Sequence, residues 1–292
     1  MRINTMRTVL AGLGLALAFS SLAACGSDDS GPDVKVEKAS GLSGVPKQLA
    51  DSGKIKIGVK FDQPGISNKE PGSDAPVGFD DEIGKIIAAK LGIKAGDIEW
   101  VQTVSDNREK FLQDGPVDLV IASYSITDDR RKVVGQAGPY YVTGQQLLVR
   151  KDDADTIKGP DDLKNAKVCS VEGSTSLARV QDEYGAKPVP FATYSECVDQ
   201  LKNKTVDAVT TDGAILLGYA AQDPDNLEVV GDPFSEERYG VGYKKGAAGM
   251  CEFLNDTLTK AFEDGTWEDA FKSTLGESGS DTPDKPTLDP CS

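Results

Sequence analysis

After residue 50, short runs of alternating hydrophobicity take turns with longer runs of helical periodicity, and this alternation limits the chain to few kinds of fold. Residues 54–60 alternate Ile55, Ile57 and Val59 with polar or small neighbours, which predicts a strand. Residues 78–92 place five apolar side chains on one helical face: Phe79, Ile83, Ile86, Ile87 and Leu91. Three acidic residues in the first turn and a glycine at the end agree with helix polarity. Strands and helices that alternate in this way predict an α/β protein.

The same alternation continues to residue 263. We predict further strands at residues 98–102, 117–122, 145–150, 167–171 and 206–211, and helices at residues 106–113, 175–184, 194–203, 213–221 and 250–263. Of the 292 residues, 38% are apolar, which is enough for a sizeable core and two domains of ordinary size.

Two segments of the chain resemble each other. Residues 111–120, FLQDGPVDLV, and residues 200–209, QLKNKTVDAV, each join the end of a predicted helix to a predicted strand. The match is short, so coincidence is the alternative to two similar α/β lobes. Because open α/β sheets bind ligands beyond the carboxyl ends of their strands, the first strand would deliver Ser123 and Ser125 to a cleft. The second would deliver Asp212 from the other lobe.

Charge and histidine content argue against several functions. The chain has 32 basic and 47 acidic residues, a formal net charge of -15, so its surface repels phosphate backbones and we expect no nucleic-acid partner. It contains no histidine, which excludes histidine-based triads and histidine metal ligands. We therefore expect no catalytic site, no metal and no cofactor.

The first 24 residues have the features of an export signal. Arg2 and Arg7 precede an apolar stretch over residues 9–25, which is short for a membrane-spanning helix. Its end, LAAC, resembles the lipobox of bacterial lipoproteins, in which the cysteine, here Cys25, becomes the lipidated first residue. Ordinary signal cleavage and an uncleaved anchor are the alternatives. Residues 25–45 would then comprise the lipidated cysteine, carrying palmitate, and a flexible tether rich in glycine, serine and charge.

The other four cysteines are Cys169, Cys197, Cys251 and Cys291. An even number in an exported chain predicts disulfides, although four cysteines allow three pairings. No CxxC spacing is present, so a redox or zinc function has little support.

Four segments, in chain order, resemble solute-binding protein family 3, the amino-acid-binding proteins of ABC importers. They are VGFDDEIGKIIAAKLG, VDLVIASYSITDDRRKVVGQAGPYY, VCSVEGSTS and VDAVTTD. The resemblance covers nearly all of residues 53–275, and the stretches GVKFDQPG, SDNRE and YSEC are most similar to actinobacterial glutamate-binding lipoproteins. Asp81 departs from the aliphatic residue or threonine that the family usually has there, which affects helix packing more than the site.

The resemblance implies a two-lobe, periplasmic-binding-protein-like (type II) fold with the ligand cleft between the lobes. Lobe 1 would be discontinuous, formed by residues 46–146 and 239–292, and lobe 2 would be formed by residues 147–238. These boundaries place Cys169 and Cys197 together in lobe 2, and Cys251 and Cys291 together in lobe 1. They therefore favour one disulfide within each lobe.

The family resemblance also implies how lobe 1 holds the common part of an amino acid. Arg130 would bind the α-carboxylate, because a planar guanidinium forms two parallel charge-assisted hydrogen bonds to one carboxylate. Ser123 and Ser125 would contact the α-carboxylate and α-amino groups, with Thr127 a weaker candidate. Arg131 would be a solvated neighbour. Without the resemblance, these residues would suggest only turns, caps and a charged loop.

In lobe 2, the implied site begins after the strand at residues 167–171. Gly173 would allow close backbone approach, and Ser174 is a candidate for both a helix cap and the cleft lining. The amides of Thr175 and Ser176 would remain free for an anion. Asp212 matches the family carboxylate that binds the ligand ammonium; an acidic helix cap is the alternative.

Selectivity for an acidic amino acid would come from Lys60 and Arg108, with Ser105 beside them. Both cations resemble the side-chain contacts of acidic-amino-acid binders, and ordinary solvated charges are the alternative. Together they favour glutamate or aspartate, although a glutamine amide also accepts hydrogen bonds from them. Phe61 and Tyr141 could line the cleft, but core positions suit them equally well.

The implied protein is a monomeric receptor, lipid-anchored at the extracytoplasmic face of the cell membrane. It would capture L-glutamate by hinged closure of the lobes and deliver it to a membrane permease. The chain has no GxxxxGK[ST] phosphate-binding loop, so the ATPase would be a separate polypeptide. Two alternatives remain: a sensory ligand-binding module, and a dehydratase on the same fold, which would need Asp212 or a glutamate as its acid or base.

Overall fold

Two five-stranded sheets and a short hairpin form the framework of the protein, in a computed structural model that describes residues 34–291. The strands are β1 Ile55–Val59, β2 Asp62–Gln63, β3 Ser67–Asn68, β4 Ile98–Gln102, β5 Leu119–Val120, β6 Gly135–Thr143, β7 Gln145–Arg150, β8 Lys167–Val171, β9 Lys187–Phe191, β10 Ala208–Asp212, β11 Leu227–Val230 and β12 Glu237–Tyr243. The helices are α1 Gly44–Ser52, α2 Phe79–Lys90, α3 Arg108–Asp114, α4 Asp128–Val133, α5 Thr175–Glu183, α6 Tyr194–Lys202, α7 Gly213–Gln222, α8 Met250–Asp264 and α9 Thr266–Lys272.

The order of the strands shows where the chain changes sheets. The sheet of lobe 1 has the order β4-β1-β5-β12-β6, and the sheet of lobe 2 has the order β11-β7-β10-β8-β9. The chain leaves the first sheet between β6 and β7 and returns between β11 and β12, so lobe 1 is discontinuous. The predicted boundaries lie two residues inside β7 and β12, because nothing in the hydrophobic pattern marks these crossings.

The predicted periodicity is confirmed in the core of lobe 1. Ile55, Ile57 and Val59 are fully buried in β1, which lies between two parallel neighbours, β4 and β5. Next to this sheet, edge-to-face and stacked rings form a cluster of Phe79, Tyr140, Tyr141, Tyr239, Trp267 and Phe271. Burying a large apolar side chain contributes about 1.5–3 kcal/mol, so this cluster is a major source of stability.

Residues 34–45 pack on lobe 1. The amides of Glu37 and Ala39 donate to the carbonyl groups of Ala89 and Lys90, at 3.2 and 2.9 Å, and α1 begins at Gly44. Carbonyl groups at the end of a helix need partners outside it, and this segment supplies two amides. The expectation of a flexible tether is therefore wrong for residues 34–45. The signal peptide, Cys25 and the rest of the expected tether lie outside the described residues.

Both expected disulfides are present. Cys169 in β8 bonds to Cys197 in α6, and Cys251 in α8 bonds to Cys291 in the C-terminal segment, with Cα–Cα distances of 5.5 and 5.7 Å. Each bond lies within one lobe, as predicted. A cross-link that closes a loop of this length stabilises a fold by roughly 3–4 kcal/mol in the chain-entropy description.

The C-terminal segment is held by more than its disulfide. Asp289 accepts hydrogen bonds from Arg131, at 2.6 Å, and from Arg238 in β12. Its backbone amide donates to Gly138 in β6, and its carbonyl accepts from Asn255 in α8. Arg131 is therefore paired with the C-terminal segment, and the prediction of a solvated neighbour is wrong. No local pattern could show this pairing, because the two residues are more than 150 positions apart in the chain.

Candidate functional site

Residues from both lobes, all but one of them polar, line a small cavity between the two sheets. Lobe 1 contributes Ser105, Arg108, Ser123 and Ser125, and lobe 2 contributes Ser174, Thr175, Ser176, Tyr194, Thr211, Asp212 and Ile215. The cavity volume is about 10 Å³, which is room for one water molecule at most. Any ligand larger than water therefore needs this lining to move apart before it can enter.

The ends of two strands place the lining residues. In lobe 1, the chain leaves β5 at Val120 and turns through Ser123, whose φ of 43° lies in the left-handed region. In lobe 2, β10 ends at Asp212 and α7 begins at the next residue. These positions agree with the predicted delivery of polar side chains to a cleft by strand ends.

Arg130 connects the two lobes beside the cavity. Its Nε donates to Glu109 Oε1 at 3.1 Å, its Nη1 to the carbonyl of Ser125 at 2.7 Å, and its Nη2 to the carbonyl of Gly173 at 3.0 Å. Thr127 caps α4 by accepting from the Arg130 amide. The guanidinium therefore holds a lining serine of lobe 1 and also contacts lobe 2.

Arg108 is buried almost completely and makes a parallel set of contacts. It donates to the carbonyl groups of Ser105, Ala122 and Ser123, and its Nη2 donates to the carbonyl of Gly173 at 3.1 Å. Burial lowers the pKa of this guanidinium to about 10, with the charge of a second arginine acting in the same direction. Arg108 nevertheless remains charged at neutral pH.

Arg108 and Arg130 both contact Tyr124 in lobe 1 and Gly173 in lobe 2. Their guanidinium carbons lie 4.6 and 4.9 Å from the ring centre of Tyr124, within the range of cation–π attraction. Across the cleft, Gly173 has a φ of 72°, and a Cβ there would lie 2.7 Å from the Cα of Asp106. Only glycine permits this approach of the lobes.

Lys60 is the third basic residue near the cavity; it lies outside the cavity lining, and the residue is 4% exposed. Its Nζ donates to Ser105 Oγ at 2.8 Å. Burial, together with the positive charge of Arg108, holds the pKa of Lys60 well below its ordinary value. The alternative of ordinary solvated charges is therefore excluded for both Lys60 and Arg108, which is 2% exposed.

One carboxylate oxygen of Asp212 is hydrogen-bonded and the other is not. Oδ2 accepts from the hydroxyl of Tyr239 at 2.6 Å, whereas Oδ1 is buried and has no hydrogen-bond partner among the described residues. Asp212 occupies the cap position of α7, but its side chain makes no capping bond, so capping does not explain the carboxylate. Burial, reinforced by the charge of Glu237, raises the pKa of Asp212 to about 7.

The start of α5 forms part of the lobe 2 wall of the cavity. Ser174 caps the helix by accepting from the amide of Leu177 at 3.0 Å, which confirms the predicted cap. Thr175 Oγ1 donates to Glu237 at 3.0 Å, and the carbonyl of Ser176 accepts from Gln145. The first amides of a helix have no partner within it, so those of Thr175 and Ser176 are suited to an anion.

The two aromatic candidates lie away from the cavity lining. Tyr141 is buried in the aromatic cluster, with its ring 5.6 Å from those of Phe79 and Tyr239. Phe61 packs partly buried against the main core, beneath the amine of Lys69. The core alternative is therefore the one that the structure favours for both.

Sequence reasoning missed Asp80, which lies behind the cavity lining and holds the backbone of Ser123 in place. Its carboxylate accepts from the hydroxyl of Tyr140 at 2.5 Å and from the amide of Ser123 at 2.7 Å, and so holds the left-handed turn. Burial raises the pKa of Asp80 to about 6. In the sequence, helix polarity alone accounts for an aspartate at this position. Tyr194 and Ile215, which line the cavity, had no signal that distinguished them from core residues.

The two lobes thus bring serines, arginines and a carboxylate with one unpartnered oxygen together between the two sheets, as expected for a protein that holds a small polar solute between its lobes. Residues 55–277 match the sequence profile of bacterial extracellular solute-binding proteins, family 3, and the chain belongs to that family.

Named relatives agree with this class. The glutamate-binding protein GluB of Corynebacterium glutamicum is 37% identical over 273 residues, which cover 90% of this chain and 88% of the relative. The ABC transporter glutamine-binding protein GlnH of Bacillus subtilis is 34% identical, over 88% of this chain and 92% of the relative. An ancestral arginine-binding protein bound to arginine superposes with a TM-score of 0.71 at 36% identity, over 76% of this chain and 98% of that one. These relatives are binding proteins, not enzymes.

Within residues 34–291, no group of three or more histidine, cysteine, aspartate or glutamate residues is placed to hold a metal ion. In the same part of the chain, no helix is both long enough and apolar enough to cross a membrane.

Proposed function

We propose that this protein is the lipid-anchored receptor of an ABC importer, which captures L-glutamate and delivers it to a membrane permease. The observation that carries the proposal is the unpartnered Oδ1 of Asp212. A buried acceptor without a hydrogen bond is costly, and the α-ammonium of an amino acid would satisfy it. The amides of Thr175 and Ser176 and the guanidinium of Arg130 would hold the α-carboxylate.

The balance of charge supports an acidic ligand. Lys60, Arg108 and Arg130 are all buried around the cavity, and Lys60 donates to a neutral hydroxyl, that of Ser105. A second carboxylate on the ligand would stabilise the charged forms of these buried side chains and so offset the cost of keeping them out of water. Aspartate offers the same charge, and glutamine offers an amide oxygen. A glutamate-binding and a glutamine-binding protein among the relatives are consistent with this range.

Lobe closure would convert binding into a signal for the permease. The ligand bridges Arg130 and the serines of lobe 1 to Asp212 and the amides of lobe 2, and only the closed arrangement provides both sets of contacts. The ligand therefore shifts the population towards the closed form. A permease that recognises this form would accept only loaded receptors, and ATP hydrolysis would occur on a separate polypeptide.

Replacement of Lys60 with methionine tests the acidic ligand. We expect Lys60→Met to weaken glutamate more than glutamine, by roughly 1–3 kcal/mol in the difference, because only glutamate would keep a full charge without its partner. Titration calorimetry with both ligands measures the two affinities. Lys56→Met is the matched control, since Lys56 is exposed and pairs with Glu99. Equal losses for the two ligands would refute the assignment of Lys60 to the distal carboxylate.

The lipid anchor has a separate test. The proposal rests on the LAAC sequence that ends at Cys25 and on the polar residues that follow it. Cys25→Ser should release the protein from the cell envelope into the medium, because acyl chains on that residue would provide the attachment to the membrane. Cell fractionation measures the release, and mass spectrometry of the wild-type N-terminus measures the lipid. Wild-type protein without lipid would disprove the anchor.

A further inference from the structure

The hairpin of β2 and β3 is part of lobe 1, but it contacts lobe 2 outside the cavity. Asp62, in β2, accepts hydrogen bonds at Oδ2 from the amides of Tyr194, at 2.9 Å, and Ser195, at 3.2 Å. These are the first two amides of α6, a helix of nine residues. An anion at this position is stabilised by the free amides and by the positive end of the helix dipole.

Helix α6 leaves these two amides free for lobe 1. Its own capping box uses the side chains of Thr193 and Glu196, which satisfy each other's backbone amides. The amides of Tyr194 and Ser195 are not part of this box, and the carboxylate that they receive comes from the other lobe. The contact therefore completes the helix end only when the lobes are together.

Helix α7 strengthens the same contact. The hydroxyl of Tyr219 donates to the carbonyl of Asp62 and lies 3.4 Å from its Oδ2. Burial, together with the charge of Asp62, raises the pKa of Tyr219 well above its ordinary value, so the hydroxyl stays protonated and can donate. The preceding residue, Gly218, has no side chain, and a Cβ there would lie 2.1 Å from the carbonyl oxygen of Pro64. The hairpin thus fits closely against two helices of lobe 2.

We propose that Asp62 is a positioning residue for lobe closure, which latches lobe 1 to the start of α6 without touching the ligand. Asp62 does not line the cavity, whereas Tyr194, whose amide it holds, does. The latch therefore fixes one wall of the cavity and stabilises the arrangement in which both lobes surround the ligand. The inference rests on the proposed function only for the identity of that ligand.

The latch makes a prediction that differs from that of a ligand-binding residue. Contacts between lobes raise the fraction of closed protein, and the apparent affinity for any ligand scales with that fraction. Asp62→Ala should therefore weaken glutamate and glutamine by the same factor, on the order of tenfold, through faster dissociation. Asp62→Asn, which keeps an acceptor oxygen but loses the charge, should show a smaller change.

The experiment combines calorimetry, stopped-flow dissociation and small-angle X-ray scattering on the full mature chain. The probes are glutamate, aspartate, glutamine and arginine. Glu70→Ala is the matched control, because Glu70 is an exposed acid next to the same hairpin and its contact with Asn68 stays within lobe 1. In the ligand-free protein, the radius of gyration should be larger for Asp62→Ala than for the wild type or the control. At saturating ligand, the wild type, Asp62→Ala and Glu70→Ala should have the same radius of gyration.

Two results would overturn the latch. Dissociation rates and radii of gyration that match those of Glu70→Ala would show that Asp62 does not affect closure. Losses that differ between ligands would place Asp62 in the ligand site instead. The scattering comparison of ligand-free protein needs no ligand, so it tests the latch even if glutamate does not bind. Tight glutamate binding with an unaffected Asp62→Ala variant would retain the proposed function and reject the latch alone.

Discussion

Arg130→Ala is expected to weaken the binding of every amino acid, by roughly 2–5 kcal/mol, because it would leave a buried ligand carboxylate without its charged partner. The loss should be nearly the same for glutamate, aspartate and glutamine, since all three carry the same α-carboxylate. Arg130→Lys should recover only part of it, because an ammonium cannot form the two parallel hydrogen bonds of a guanidinium. Titration calorimetry with the three ligands measures these differences.

The neighbouring arginine provides the control for this experiment. Arg131 pairs with Asp289 of the C-terminal segment, so Arg131→Ala removes a similar charge from the same helix without removing the proposed carboxylate contact. We expect this variant to bind glutamate almost as the wild type does. Unchanged binding in Arg130→Ala would instead show that Arg130 does not bind the α-carboxylate of the ligand.

Asp212→Asn is expected to be the second large effect, with a loss on the order of a hundredfold for every amino acid, within the range for a truncated buried charge pair. The amide can still accept from Tyr239, so the fold should be retained, but it cannot neutralise an ammonium. Calorimetry measures the affinity, and thermal unfolding checks the fold. Asp207→Asn is the control, because Asp207 precedes β10 and accepts from the amide of Lys167 outside the cavity. Full affinity in Asp212→Asn would contradict the ammonium assignment.

The same carboxylate predicts how binding depends on pH. The pKa of Asp212 is raised to about 7, so the group becomes protonated as the pH falls below that value, whereas the ligand ammonium needs the ionised form. Glutamate affinity should therefore fall between pH 7 and pH 5, and binding at pH 6 should release protons. Asp80 also titrates near pH 6 and is present in both proteins. The difference between the wild type and Asp212→Asn thus isolates the contribution of Asp212.

Most positions of the candidate site could be predicted from the sequence, but their partners could not. Ser123, Ser125 and Asp212 follow apolar strands, and strand ends are where such folds bring polar groups together. The contacts of Arg130 with Glu109 and Gly173 cross long stretches of chain, so no local pattern indicates them. The burial of charged residues could not be predicted either. An aspartate in the first turn of a helix has the same sequence pattern whether it is solvated or, like Asp80, fully buried.

The fold could be predicted where periodicity was strong. Helix α2 and strands β1 and β8 appear within two residues of the predicted ends. Strands β6 and β12 were missed, because they contain glycines, and β6 also a proline, which are normally depleted in strands. Helix α1 was missed because glycine and proline in its first turn suggested an irregular segment, although proline is well tolerated at the start of a helix.

The late position of β12 in the chain has a consequence for the order in which the two lobes can fold during synthesis. All five strands of the lobe 2 sheet lie between Gln145 and Val230, so that sheet can form as soon as its own residues have emerged. In lobe 1, β12 lies between β5 and β6 and is the strand that joins them. A chain arrested before Glu237 therefore has three paired strands in lobe 1, with β6 left unattached. Lobe 1, which contains the first strand of the chain, is therefore completed after lobe 2, when β12 has emerged.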